Sequence, residues 1–553
     1  MKIFSKKNIP KIIIFLVFIL AFLLRIYGLN WDSNNHLHPD ERFLTMVTAD
    51  IKLPSSLSEY LNTLTSPLNP YNYPQYQFFV YGTFPLFLVK TLAVFLHLDN
   101  YNQITLLGRV LSALFDSGNV VLLYFIARKF LKSFYRYLPS LLYAFLVIPL
   151  QLSHFFAVDT FLNFFILLTF TLFSYNFFAL AFLAFGLALS CKISAIYFIP
   201  IIFLFLFKNK NLISIVYFLI SFLAFRFFQP YAFTDIFTPN PLFINNLKTL
   251  ASYSKPDIFF PPGVQWINRL PLLNSLKNTG VWGLGLAVSF PLIFLLFRFL
   301  TKFRFKFNLI FIISAWVVLL FTYQSLQAVH TMRYFLPIYP FISLIFVTLL
   351  SRFKIKKSLI IYLLIINSLY AIAFLSIYSR PNSRVQASEW IKKNIPQNKV
   401  LSSEYWDDAL PLGYSNYQNV PLSLFDPDTL EKWEIINQSL SRVDYLIMSS
   451  NRLWASIPRL PDKYPLTSEF YKNLFTGDLN FIKIKTFNSY PGFSLSFLKS
   501  CFYLGLSNYP GVRNTWFEKD TDCLYPGVYI RDDTSEEAFT VYDHPQVLIF
   551  QKK

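Results

Sequence analysis

Three short runs hold most of the residues whose side chains could do chemistry. The first is His36-Leu37-His38-Pro39-Asp40-Glu41-Arg42-Phe43, where Pro39 fits a helix start and two carboxylates in a first turn are favoured by the helix dipole. The second is Ser153-His154-Phe155-Phe156-Ala157-Val158-Asp159, and the third is Gln327-Ala328-Val329-His330-Thr331-Met332-Arg333-Tyr334. Lys192 stands by itself at a break in a long apolar stretch. Asp40, Glu41 and Asp159 supply carboxylates; Lys192, Arg333 and His330 supply cations. Opposed across one mouth, such groups suit transfer of a group from a lipid phosphate. The cations hold the phosphate and stabilise charge on the leaving oxygen, while a carboxylate takes the proton of an attacking hydroxyl. Each run also has a plainer reading: Asp40 and Glu41 as a solvated helix start, Asp159 as a helix cap, Lys192 as a snorkelling cation and Arg333 as an interface anchor. His36, His38 and Asp40 leave a divalent metal open as an alternative, since imidazole and carboxylate suit zinc or manganese.

The elements that must position these groups are membrane helices. Of 553 residues, 54% are apolar, 20% aromatic and 14% charged, and the mean hydropathy is +0.44. These values argue against a soluble enzyme. The net charge of +19 is sharply partitioned. Through Arg380 there are 31 Lys and Arg against 10 Asp and Glu, and from Pro381 onward 18 against 20. Basic excess confined to the apolar part is the pattern of cytoplasmic loops, and it sets nucleic acid aside. Basic clusters at Lys2, Lys6, Lys7 and Lys11, at Arg128 to Arg136, at Lys208 and Lys210, at Arg298 to Lys306 and at Arg352 to Lys357 should face the cytoplasm.

With that sidedness the run 77–96, broken by Gly82, Pro85 and Lys90, reads as interfacial or re-entrant. The run 177–207 must be two short helices broken near Ser190, Cys191 and Lys192. About eleven crossings follow, near 11–29, 105–127, 138–153, 160–176, 178–190, 193–207, 211–230, 281–300, 308–327, 334–351 and 358–378. The predicted architecture is therefore mainly α, a polytopic transmembrane bundle over 1–380 with a first outer loop at 30–104, followed by an extracytoplasmic α/β domain over 381–553. The amino terminus is cytoplasmic, and all six His residues and nine of the ten acidic residues before Pro381 fall outside. Asp116 is intramembrane, and Arg109, two turns away on the same helix face, is its expected structural partner. The tail predicts a helix over Ser383 to Asn394 closed by Pro396 and a buried strand over Val443 to Met448. Cys501 and Cys523 there are either a disulfide or two free thiols. There is no phosphate-cradling glycine loop and no internal repeat.

Taken in order, Leu24-Arg25-Ile26-Tyr27-Gly28-Leu29, the HPDERF loop from His38, the helix Gly108 to Asp116, Val158-Asp159, Cys191-Lys192 and the RYFLPIYP run from Arg333 resemble the glycosyltransferase-C superfamily, specifically the protein O-mannosyltransferases and lipid A aminoarabinose transferases. The resemblance covers roughly residues 10 to 380. It implies the GT-C fold, a sugar on a polyprenyl phosphate as donor and a single inverting displacement at the outer membrane face onto a protein, lipid or glycan acceptor. It maps the catalytic and acceptor-binding acids onto Asp40 and Glu41, and the donor-phosphate cations onto Lys192 and Arg333, with His330 beside them. Asp159, His38, Arg42, Arg109 and Asp116 are supporting positions; Thr160 follows Asp159 where the aminoarabinose transferases have proline. Ala387 to Ile391 and Glu404-Tyr405-Trp406-Asp407-Asp408 match the tail of uncharacterised bacterial relatives. The competing readings are a transporter or lipid-linked-sugar flippase, which would ordinarily show repeated halves, and a non-catalytic assembly factor.

Overall fold

The computed structural model describes residues 8–210, 212–255, 260–301, 306–505, 517–520, 523 and 525–553. Lys2, Lys6, Lys7, Lys302 and Arg304 of the basic clusters lie outside these. The chain divides into two units, 1–29 with 39–252 and 275–371, and 30–38 with 253–274 and 372–553. Two segments that sequence order assigns to the membrane part, 30–38 and 253–274, thus belong to the second unit, because contacts made far along the chain are invisible to composition.

The first unit is helical. Helix α1 (Ile9–Ile26) has Pro10 in its first turn and carries Arg25 in its last. Helix α2 (Pro39–Asp50) opens the first loop with Asp40 and Glu41 in its first turn, and α3 (Thr83–Phe95) follows Gly82. Helix α4 (Tyr101–Ala127) is capped by the Asn100 side chain on the Gln103 amide. The stretch expected as one crossing at 138–153 is instead two seven-residue helices, α5 (Leu138–Ala144) and α6 (Val147–Ser153). Helix α7 (Val158–Ser174) starts with Asp159 in its first turn. The expected break lies where the charge balance put it: α8 (Phe178–Cys191) stops at Lys192, whose backbone is extended at φ −161° and ψ 129°. A 3-10 stretch, Ile193–Phe198, leads into α9 (Ile199–Lys208), with Pro200 near its start. Helix α10 (Phe218–Phe228) and later helices complete the unit, among them the 3-10 segment Met332–Ile338 that carries Arg333. Four helices of the described residues are long and apolar enough to cross a membrane, Ile9–Ile26, Tyr101–Ala127, Met332–Arg352 and Lys357–Asn394, several others being shorter.

The second unit holds two sheets. Helix α11 (Ser383–Asn394), with the predicted bounds, is capped by Asn382 and precedes β1 (Val400–Glu404), β2 (Gln418–Leu422), β3 (Tyr445–Met448), β4 (Phe481–Phe487) and β9 (Val547–Lys552). These five run in the order β2-β1-β3-β9-β4. Strand β1 pairs in parallel with β2 and β3, and β9 pairs antiparallel with β3 and β4. The two-residue period splits the core between the faces: Ile447, Val547 and Ile549 pack with Ala387 and Ile391, while Leu446, Met448, Leu548 and Phe550 pack with Trp454. A second sheet, β5 (Gly492–Ser494), β6 (Cys501–Leu504), β7 (Phe517–Asp520) and β8 (Gly527–Ile530), runs β5-β8-β6-β7. Cys501 and Cys523 form a disulfide.

Candidate active site

Acid–base pairs among the described residues of the first unit divide into two kinds by burial. Glu41 is fully buried and clasped by Arg109, whose Nε and Nη2 donate to its two carboxylate oxygens at 2.8 and 2.7 Å. The Phe156 amide donates to the same carboxylate at 2.7 Å, and Arg109 also donates to the Leu29 carbonyl. Asp116 and Arg25 form the second buried pair, at 2.7 Å with neither side chain exposed. Tyr143 donates to the other Asp116 oxygen at 2.6 Å and Asn163 donates to Tyr143 at 2.8 Å. The expected partnership of Asp116 with Arg109 is therefore corrected. Each binds across to another helix or loop, because a shared face on one helix fixes direction and leaves the partner to tertiary packing.

The other two pairs are accessible on at least one side. Asp40 binds Arg333, with side chains 23% and 21% exposed, and Asp159 binds Lys192 at 2.8 Å, with 8% and 22% exposed. Tyr334 joins the two. Its ring centroid lies 4.6 Å from Lys192 Nζ and 5.5 Å from Arg333 Cζ, within cation–π range of both. Tyr81 donates to the second Asp40 oxygen at 3.0 Å. Helix α2, the start of α7, the α8 break and the Met332–Ile338 segment thus bring a carboxylate or a cation each to one locus. The Asp40–Arg333 pair, a fifth open to its surroundings on both sides, exchanges partners at modest cost, whereas the Glu41 and Asp116 pairs would leave a buried ion behind. An incoming phosphate could take the two cations and release Asp40 to accept a proton.

The remaining candidates are placed elsewhere. His330 is buried, with Nδ1 facing the Gln327 carbonyl at 3.1 Å. Arg42 is half-buried on α2. His38, in the second unit, is buried against the Tyr542 ring, centroids 4.4 Å apart. Among the described residues no group of three or more His, Cys, Asp or Glu is arranged to hold a metal. Tyr81 went unmarked in sequence, where it trails an aromatic stretch, and Tyr334 stood in the third run without a role of its own.

No family model and no curated protein matches the sequence. Among solved structures, the Archaeoglobus fulgidus oligosaccharyltransferase tethered with an acceptor peptide matches with a TM-score of 0.50 and 12% identity, over 85% of this chain and 72% of that one. ArnT from Cupriavidus metallidurans bound to undecaprenyl phosphate matches with a TM-score of 0.45 and 12% identity, over 83% of this chain and 96% of that one. The oligosaccharyltransferase, the match that reaches a TM-score of 0.50, is a member of the GT-C superfamily. The chain has a GT-C fold. At this identity the likeness concerns the fold, and the chemistry assigned to the GT-C unit here stands on its own side chains.

Proposed function

We propose that the protein is an integral-membrane glycosyltransferase that moves a sugar from a polyprenyl-phosphate donor to an acceptor hydroxyl at the outer membrane face, by one inverting displacement. The observation that carries this reading is the pairing of accessible Asp40 with Arg333 and of Asp159 with Lys192 across the Tyr334 ring. Lys192 and Arg333 bind the donor phosphate and stabilise the charge that develops on its leaving oxygen. Asp40, freed from Arg333, accepts the proton of the attacking hydroxyl. Glu41, held by Arg109 and the Phe156 amide, fixes the start of α2 so that Asp40 presents its oxygens to this locus. The bidentate geometry suits a structural tie better than proton transfer. Asp159 keeps Lys192 oriented when no donor is bound. The disulfide of Cys501 with Cys523 agrees with a second unit on the oxidising side of the membrane.

The test is sugar transfer from a synthetic polyprenyl-phosphate donor by the purified protein in nanodiscs. Wild-type protein should release free polyprenyl phosphate and glycosylated acceptor, and Asp40→Asn should release both about a hundredfold or more slowly. Release by Asp40→Asn at the wild-type rate would remove Asp40 as the base, and no transfer by wild-type protein with any donor sugar offered would sink the reading itself.

A further inference from the structure

Between the aromatic stretch of the first loop and α3, three consecutive residues tie separate parts of the site together. Tyr81 donates its hydroxyl to Asp40. The Gly82 amide donates to the Cys191 carbonyl at 3.1 Å, at the last residue of α8. The Thr83 amide donates to Gln229 Oε1 at 2.5 Å and its hydroxyl donates to the Phe228 carbonyl at the end of α10. Gly82 and Thr83 are buried. The close approach at the middle residue requires the absence of a side chain. A Cβ on Gly82 would lie 2.1 Å from the Ser190 carbonyl oxygen and 2.3 Å from the carbonyl carbon and oxygen of Cys191. All three of those atoms are backbone, so no side chain can swing aside. Any residue larger than glycine must push the end of α8 away, and Lys192 is the next residue along.

On the reading of Lys192 as a phosphate-binding cation, we propose that Gly82 is a positioning residue of the donor-phosphate subsite. It lets one tripeptide hold the acid Asp40 and the cation Lys192 at a fixed separation, so the phosphate and the proton acceptor are presented together. Thr83 is the anchor of that strap on α10.

The experiment measures binding of undecaprenyl phosphate to the full-length protein in nanodiscs, with undecaprenol as the phosphate-free control. Lys192→Ala and Gly82→Ala should each weaken undecaprenyl phosphate binding about tenfold or more, since a displacement of about 1 Å at a binding group is enough for such a loss, and leave undecaprenol binding unchanged. The double variant should bind no more weakly than Lys192→Ala alone, because Gly82 acts through Lys192. Should Gly82→Ala fail to fold, Thr83→Val, which keeps the glycine and loosens the anchor, is expected to weaken binding in the same direction. If Lys192→Ala weakens binding while Gly82→Ala or Thr83→Val does not, the strap proposal is overturned and the phosphate reading stands. A Gly82→Ala loss that persists in full in the Lys192→Ala background overturns it too. Unchanged binding in Lys192→Ala overturns the phosphate reading and the strap with it.

Discussion

Asp40 and Glu41 are adjacent carboxylates with different surroundings, and their variants should fail in different ways. Asp40 is exposed enough to exchange Arg333 for another partner, so Asp40→Asn removes the proposed proton acceptor with little change in packing. Transfer should fall by about 10²- to 10⁴-fold, the usual share of a general base, with the thermal midpoint of the purified protein unchanged. Glu41→Gln removes one half of a fully buried ion pair and leaves the Arg109 guanidinium without its counter-charge. The expected cost is about 3–5 kcal/mol of stability, read as a lowered thermal midpoint and reduced yield. A Glu41→Gln protein as stable as wild type but inactive would instead return Glu41 to the chemistry.

At the scale of elements, the α8 break and helix α11 were legible in sequence for different physical reasons. The break follows from charge balance, since a single crossing over 177–207 would invert every later basic cluster, and Lys192 interrupts the apolar run. Helix α11 follows from apolar spacing and the closing proline. The partners of the buried ions were not legible. Arg25 and Asp116 are 91 residues apart, and Arg109 and Glu41 are 68 apart, so no periodicity within one helix connects them. That pairing makes a prediction about how α1 packs on α4. Asp116→Asn strands the Arg25 charge and should cost about 3–5 kcal/mol, whereas Arg25→Met with Asp116→Leu removes both charges and should recover much of the loss. Thermal unfolding of the three proteins in the same detergent distinguishes the cases, and a double variant no better than Asp116→Asn would show that the polar cluster with Tyr143 and Asn163 matters more than the charge.

Over the whole molecule, ionisable groups are buried in the sheet unit as well as in the helical one, and there they couple stability to pH. His544 is held between Asp532 at 2.8 Å and Asp543 at 2.5 Å. Burial works against its charge, but the two carboxylates outweigh it and raise the imidazole to about 10. Its contribution is fully present below about 6.5, where the unfolded chain is protonated, and is lost progressively as pH rises from there through about 10. Glu404, at the end of β1, acts within a more ordinary window. Its carboxyl is pushed up to about 8 chiefly by burial, helped by the nearby Asp407 and opposed by the Tyr471 hydroxyl, which donates to it at 2.5 Å. The Oε2 atom finds no hydrogen-bond partner among the described residues, so ionisation has nothing further to stabilise it. A carboxyl raised on folding favours the native state at low pH, and that contribution is lost between about 4.5, where the unfolded chain ionises, and about 8. The change amounts to a few kcal/mol, at about 1.4 kcal/mol for each pH unit. Glu404→Gln keeps the Tyr471 bond and cannot ionise. The urea midpoint followed by tryptophan fluorescence should therefore fall less in Glu404→Gln than in wild type between pH 6 and pH 8.5, with the variant gaining on wild type as pH rises. Parallel midpoints for the two proteins across that interval would mean that Glu404 is ionised, or reached by water, in the folded unit.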